Sequence, residues 1–196
     1  MRKTFMLSIF LLILASTMGI LNPKSLKAQS TEILKTTAQG SELLSKSGQT
    51  KLGEKLPFFS GWDVMTDKVI TTKTLFNQGY QQYVIALCAS WCEPCKKGLA
   101  KLSQNANQLE AKKIKVILLA SSDSKTKAIE FVRNLGLEKF TTIADEFNTH
   151  TPKYSTLSDN QITLPRTIIT DQNGIVTKII GAEGEDYIAL MIGSAQ

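Results

Sequence analysis

Tyr83-Val84-Ile85-Ala86-Leu87-Cys88-Ala89-Ser90-Trp91-Cys92-Glu93-Pro94-Cys95-Lys96-Lys97 is the stretch on which the fold turns. Its first five residues are a short apolar run, the pattern of a buried strand. Beyond it, Leu99, Leu102, Ala106 and Leu109 recur at helical spacing, so a helix with one apolar face is expected from Cys95 to about Ala111. The Cys-x-x-Cys therefore sits where a strand feeds a helix N-terminus. The first turn of a helix carries unpaired N–H groups and the positive end of the macrodipole. A thiolate there is stabilised and becomes a nucleophile near neutral pH. Cys92, the N-terminal and more exposed of the pair, is expected to attack, and Cys95, one turn into the helix, to resolve the mixed disulfide.

Two cysteines at this spacing allow three readings. Zinc needs about four ligands, and the chain offers only Cys88 and His150 besides the pair. A purely structural disulfide closing so short a loop removes little unfolded-state entropy. The redox dithiol is the reading the sequence favours. No metal and no cofactor are expected.

The chain has 196 residues, 42% hydrophobic and 20% charged, enough for one globular domain with a proper core. Residues 1–28 read as a signal peptide or an uncleaved anchor. Arg2 and Lys3 are a positive n-region, Phe5 to Leu21 is mostly apolar, and Leu26-Lys27-Ala28 is a weak cleavage site. Residues 29–50, rich in Ser, Thr, Gln, Gly and Lys, read as a linker. Residues 51–196 form the domain. Without the four basic residues of 1–28, nineteen Lys and Arg face seventeen Asp and Glu, which argues against a nucleic-acid partner. Three cysteines are too few, and odd in number, for a disulfide scaffold.

Along the domain, Val69 to Thr72 has strand character and Leu75-Phe76 closes a short turn, with Trp62 in an early loop. Ile114 to Ala120 is a second buried strand. Asp123 or Ser124 caps the next helix, whose inner face is Ala128, Phe131, Val132 and Leu135, and Gly136 stops it. Phe140 to Ala144 is a short strand, and 146–154 a helix interrupted by Pro152. Thr167 to Thr170 and Ile175 to Ile180 pair as a hairpin around Asp171-Gln172-Asn173-Gly174. Tyr187, Leu190 and Met191 suit a terminal helix. Strands alternating with helices, then a hairpin, give an α/β fold: a sandwich around a central mixed sheet.

Trp91-Cys92-Glu93-Pro94-Cys95, the Leu164-Pro165 step and the Thr167 to Gly174 hairpin together resemble the thioredoxin family, in particular its exported TlpA/ResA-like branch. The likeness covers about residues 51–190. It implies a thioredoxin-like three-layer sandwich, a redox disulfide between Cys92 and Cys95 as catalytic pair, and a cis Pro165 facing Cys92. Trp91, Glu93, Pro94, Leu164, Pro165 and Arg166 would support the site. On sequence alone Pro165 also fits an ordinary trans strand-starting proline. The resemblance further implies a periplasmic or otherwise extracytoplasmic oxidoreductase. It would be monomeric, reducing disulfides of envelope proteins, apocytochrome c included, and itself reduced by a membrane electron donor. Contact with the membrane is expected only if the N-terminal segment is uncleaved. The family's usual buried acids are replaced here by Ala86 and Gly98, which leaves the proton acceptor for the resolving thiol unassigned.

The remaining residues each have a plain and a functional reading. Glu93 either raises the Cys92 pKa or is an exposed first-turn acid. Lys96 and Lys97 are solvated, or hold a thiolate or an acidic partner. Arg166 either approaches Cys92 and lowers its pKa or faces solvent. Cys88 is expected to be an inert buried thiol, His150 a structural histidine, and Trp91 a lid packed beside Cys92. A peroxiredoxin-type site would want Thr or Ser at Ala89 and Pro at Ile85, so that reading is set aside. The alternative to an oxidoreductase is a non-catalytic thioredoxin-fold binding module.

Overall fold

The computed structural model describes residues 50–155, 162–181 and 187–193. Residues 1–28, read as a signal peptide or anchor, and almost all of the linker lie outside the described residues, as do residues 156–161 and 182–186. The chain divides into two units, 1–47 and 48–196, and everything below belongs to the second.

The described residues build a five-stranded sheet in the order β5-β4-β3-β6-β7. Its strands are β3 (Gln82–Cys88), β4 (Ile114–Ser121), β5 (Thr141–Asp145), β6 (Arg166–Asp171) and β7 (Val176–Ile180). β3–β4 and β4–β5 are parallel, β3–β6 and β6–β7 antiparallel, so the sheet is mixed. A separate hairpin pairs β1 (Ser60–Trp62) with β2 (Val69–Thr71). Six helices accompany them: α1 (Thr72–Phe76), α2 (Glu93–Gln104), α3 (Ala106–Ala111), α4 (Lys125–Asn134), α5 (Thr151–Tyr154) and α6 (Tyr187–Ile192). This is a thioredoxin-like α/β fold.

β3 is buried at every residue and is the axis of the domain. Its alternation sorts the core into two faces. Val84, Ala86 and Cys88 join Cys92, Cys95, Leu99 and Leu102 of α2, Phe131 and Val132 of α4, and Tyr187 and Met191 of α6. Tyr83, Ile85 and Leu87 join Leu56, Phe59, Leu75 of α1 and Tyr154 of α5. Sheet and two covering layers make the three-layer sandwich. Each fully buried Leu or Ile contributes about 2 kcal/mol, and β3 and β4 supply Ile85, Leu87, Ile114, Ile117, Leu118 and Leu119.

Several elements differ from the expectation. The helix after the cysteines begins at Glu93 and breaks at Asn105, whose side-chain amide donates to Lys101 O at 2.8 Å and competes with the backbone ladder. Leu75-Phe76 is not a turn but the end of α1, started by a reciprocal capping box between Thr71 and Thr74. Trp62 lies in a strand, not a loop. Only Thr151–Tyr154 of 146–154 is helical. The Asp145 carboxylate accepts the N–H groups of Thr149, His150 and Thr151 and holds the preceding residues as a loop. Pro152 sits in the first turn and opens that helix rather than interrupting it. Leu190 is on the outer side of α6 at 39% exposure, because Tyr187 and Met191 take the core. Thr50, expected at the end of the linker, is already anchored: its N–H and Oγ1 both donate to Lys153 O.

Candidate redox site

β3 ends at Cys88, and the chain turns through Ala89-Ser90-Trp91 into α2. The turn is closed by Cys92 N–H donating to Ala89 O at 3.1 Å. Cys92 is the N-cap of α2, with extended backbone, and its Sγ accepts the N–H of Cys95 at 3.3 Å. Pro94 falls in the first turn, where a missing N–H costs nothing. Cys92 and Cys95 are joined by a disulfide, their Cα atoms 5.3 Å apart. Cys92 is 5% exposed and Cys95 0%, so the outer sulfur belongs to the residue expected to attack.

The first turn is nearly self-neutralising. Glu93 is exposed and forms an ion pair with Lys96 one turn on. Lys97 is exposed. Trp91 is 62% exposed, so it stands in solvent rather than packing as a lid. The Leu164-Pro165 bond is cis. Pro165 is buried, and the register of β6, with Arg166 opposite Leu87, brings it to the end of β3 from which the redox turn departs. Leu164 packs against the cluster that holds both redox cysteines.

Arg166 goes elsewhere. Directly paired residues share a sheet face, and Leu87 lies on the face away from α2. The half-buried Arg166 is therefore directed off the Cys92 side, which disfavours the reading in which it approaches the thiol. Burial lowers its guanidinium pKa, and its Nε makes no hydrogen bond. Ala86 and Gly98 are both buried. Across from Ala86 on the same face is Thr167, whose hydroxyl pairs with the Tyr187 hydroxyl at 3.0 Å, a buried polar pair in an otherwise apolar layer.

Cys88 is buried and outside the disulfide, its Sγ 3.7 Å from Leu119 O. His150 packs edge-on to Phe59. Burial lowers its imidazole pKa, the nearby Asp145 opposing. Among the described residues no group of three or more His, Cys, Asp or Glu is placed to hold a metal.

One residue of the site escaped the sequence reading. Asp123 was one of two adjacent candidates for the α4 cap. Ser124 takes that role, its Oγ accepting Lys127 N–H. Asp123 is 1% exposed and turns to the redox loop instead, accepting Ser90 N–H at 2.7 Å and Ser90 Oγ–H at 2.6 Å. The available signal was redundancy: a helix needs one N-cap, and two capping residues stood in a row.

A cis-proline strand beside a disulfide at the mouth of a helix, on this sheet, defines the class of thioredoxin-fold thiol–disulfide oxidoreductases. By its sequence the chain belongs to the AhpC/TSA family, whose model matches residues 52–179. No curated protein sequence matches the chain significantly. Among solved structures it is similar to a thiol:disulfide interchange protein of the thioredoxin family from Chlorobium tepidum, at 16% identity over 74% of this chain and 97% of that one, TM-score 0.61. It is also similar to a secreted Mycobacterium tuberculosis disulfide oxidoreductase described as homologous to E. coli DsbE, at 18% identity over 69% and 95%, TM-score 0.56. A third is peroxidoxin BcpB from Mycobacterium tuberculosis, at 15% identity over 75% and 97%, TM-score 0.61. At these identities the likeness is one of fold.

Proposed function

We propose that the chain is an exported thiol–disulfide oxidoreductase of the TlpA/ResA type that reduces disulfides of envelope proteins, apocytochrome c among the candidates. The observation that carries this reading is Cys92 at the N-cap of α2, bonded to a buried Cys95 and accepting that residue's N–H. In the reduced state the same N–H and the helix dipole stabilise a Cys92 thiolate. That thiolate attacks one sulfur of a substrate disulfide. The substrate S–S bond breaks, its second sulfur leaves as a thiolate and takes up a proton, and Cys92 is held in a mixed disulfide. Cys95 loses its proton and attacks Cys92 Sγ, which releases the first substrate sulfur. The substrate has gained two electrons and two protons, and the pair is oxidised. A membrane electron donor re-reduces it. The domain acts as a monomer, without nucleic acid or cofactor, and meets the membrane only if 1–28 stays attached.

The test is reduction of insulin disulfides by the domain in the presence of dithiothreitol, with hydrogen peroxide consumption measured in parallel. Acceleration of insulin reduction supports the reading. Peroxide consumption without insulin reduction overturns it in favour of a peroxidase, and neither activity overturns it in favour of a binding module.

A further inference from the structure

We propose that Asp123 is a positioning residue for the redox pair: it anchors Ser90 so that the turn delivers Cys92 to the N-cap of α2. The inference rests on the oxidoreductase reading and extends it to a residue outside the Cys-x-x-Cys stretch.

Ser90 lies two residues before Cys92, in a turn otherwise closed by a single backbone hydrogen bond, Cys92 N–H to Ala89 O. Both oxygens of the Asp123 carboxylate are spent on Ser90, one on its N–H and one on its hydroxyl. The carboxylate is buried, so losing these donors leaves an unmatched charge, which costs far more than an exposed contact. Asp123 is itself held from behind. Ser122 adopts a left-handed backbone at φ 58° and donates its N–H to Asp145 O. Ser121 Oγ donates to Asn148 Oδ1, and Asn148 Nδ2 donates to Ser122 Oγ. The end of β4 is thus pinned to the loop after β5, and Asp123 extends that rigid edge to the redox turn. The charged side chains on the elements around the redox turn are the paired Glu93 and Lys96, the exposed Lys97 and the more distant Lys101 on α2, Asp123 from the β4–α4 loop, and Lys127 and Glu130 of α4, which line one pocket with Ser90 and Lys96. Arg166 is directed to the other face of the sheet. A looser turn weakens the N-cap contact that stabilises the reduced Cys92, and the pair becomes more reducing.

The experiment equilibrates the folded domain with glutathione buffers and reads the oxidised fraction of the Cys92–Cys95 pair, alongside insulin reduction. Asp123→Ala is expected to shift the equilibrium toward the disulfide about tenfold, about 30 mV for a two-electron couple. Ser90→Ala, which leaves the carboxylate and the backbone contact in place, is expected to shift it the same way by about two- to threefold. Asp123→Asn can still accept Ser90 N–H and donate to its hydroxyl, so it is expected to stay within about twofold of wild type. A purely structural role moves the unfolding midpoint and leaves the equilibrium unchanged in all three variants, which overturns the proposal. Asp123→Asn shifting the pair toward the dithiol also overturns it, because charge repulsion would then be the residue's effect. If Asp123→Ala does not fold, the Ser90→Ala shift decides. A wild-type pair that neither equilibrates with glutathione nor reduces insulin overturns the oxidoreductase reading itself. A wild type that does both while the variants match it sinks only the role of Asp123.

Discussion

Cys92 caps the helix that Cys95 enters: the Cys92 sulfur accepts the Cys95 N–H at 3.3 Å, and the two sulfurs are bonded. One backbone donor therefore serves both the disulfide and the thiolate that replaces it on reduction. Asymmetry follows from burial, since Cys92 reaches the surface and Cys95 does not.

The two cysteines are expected to divide the labour. Cys95→Ser leaves the attacking thiolate without a resolver, so a mixed disulfide with substrate accumulates through Cys92. Cys92→Ser abolishes turnover. Because Cys95 is fully buried and the neighbouring Ala86 and Gly98 supply no carboxylate, its thiol pKa is expected to lie above that of Cys92. Alkylation of the reduced protein across pH checks this. Cys95 reacting at lower pH than Cys92 would reverse the roles.

Cys88 is expected to remain a thiol while the other two oxidise. It ends a strand buried on both faces and lies outside the disulfide. Peptide mass mapping of air-oxidised protein should find Cys92 linked to Cys95 and Cys88 free for alkylation only after unfolding. Cys88→Ala should keep insulin reduction within about twofold and cost about 1 kcal/mol of stability through lost packing. A major Cys88–Cys92 species would refute the assignment.

Acid should destabilise the domain in two windows. His150 has its pKa lowered from 6.5 by burial, so the unfolded chain takes up a proton first. The stability it contributes is present above about pH 6.5 and lost as pH falls toward its folded value. Burial alone would raise the Asp145 pKa, but hydrogen bonds from Thr151, Thr149 and His150 outweigh it and bring it below 3.8. Its contribution is present above pH 3.8 and lost as pH falls through the lower folded value. Urea midpoints from pH 7 to 2 measure both. His150→Gln should flatten the upper window and Asp145→Asn the lower one, the latter with a loss of about 2–3 kcal/mol at pH 7 from unmatched buried donors. Unchanged profiles in both variants would contradict this account.

Secretion is expected to remove the N-terminal segment near Ala28. Arg2 and Lys3, the apolar run to Leu21 and the polar stretch after it have the order of a signal peptide. N-terminal sequencing of protein recovered from the cell envelope reads the start directly. A chain still beginning at Met1 and sedimenting with membranes would establish an anchor instead.

The sequence by itself determined the five strands of the main sheet, the redox pair and its setting, though not β1. An apolar run of five residues has few fates other than a buried strand, and β3 and β4 appear where the runs stand. Gly174 is legible for a similar local reason: the turn needs φ 78° there, a conformation that glycine adopts without strain. Tertiary structure decided what depends on neighbours distant in sequence. Register alone directs Arg166 away from Cys92, because pairing with Leu87 assigns it a face. The helix expected at 146–154 shrank to one turn because the Asp145 carboxylate captured its amides. Asp123 reads locally as a helix cap and becomes the anchor of Ser90, 33 residues earlier in the chain, only once β4 lies beside β3. Local propensity is a property of a few consecutive residues, whereas a carboxylate binds whichever donors the fold brings within 3 Å.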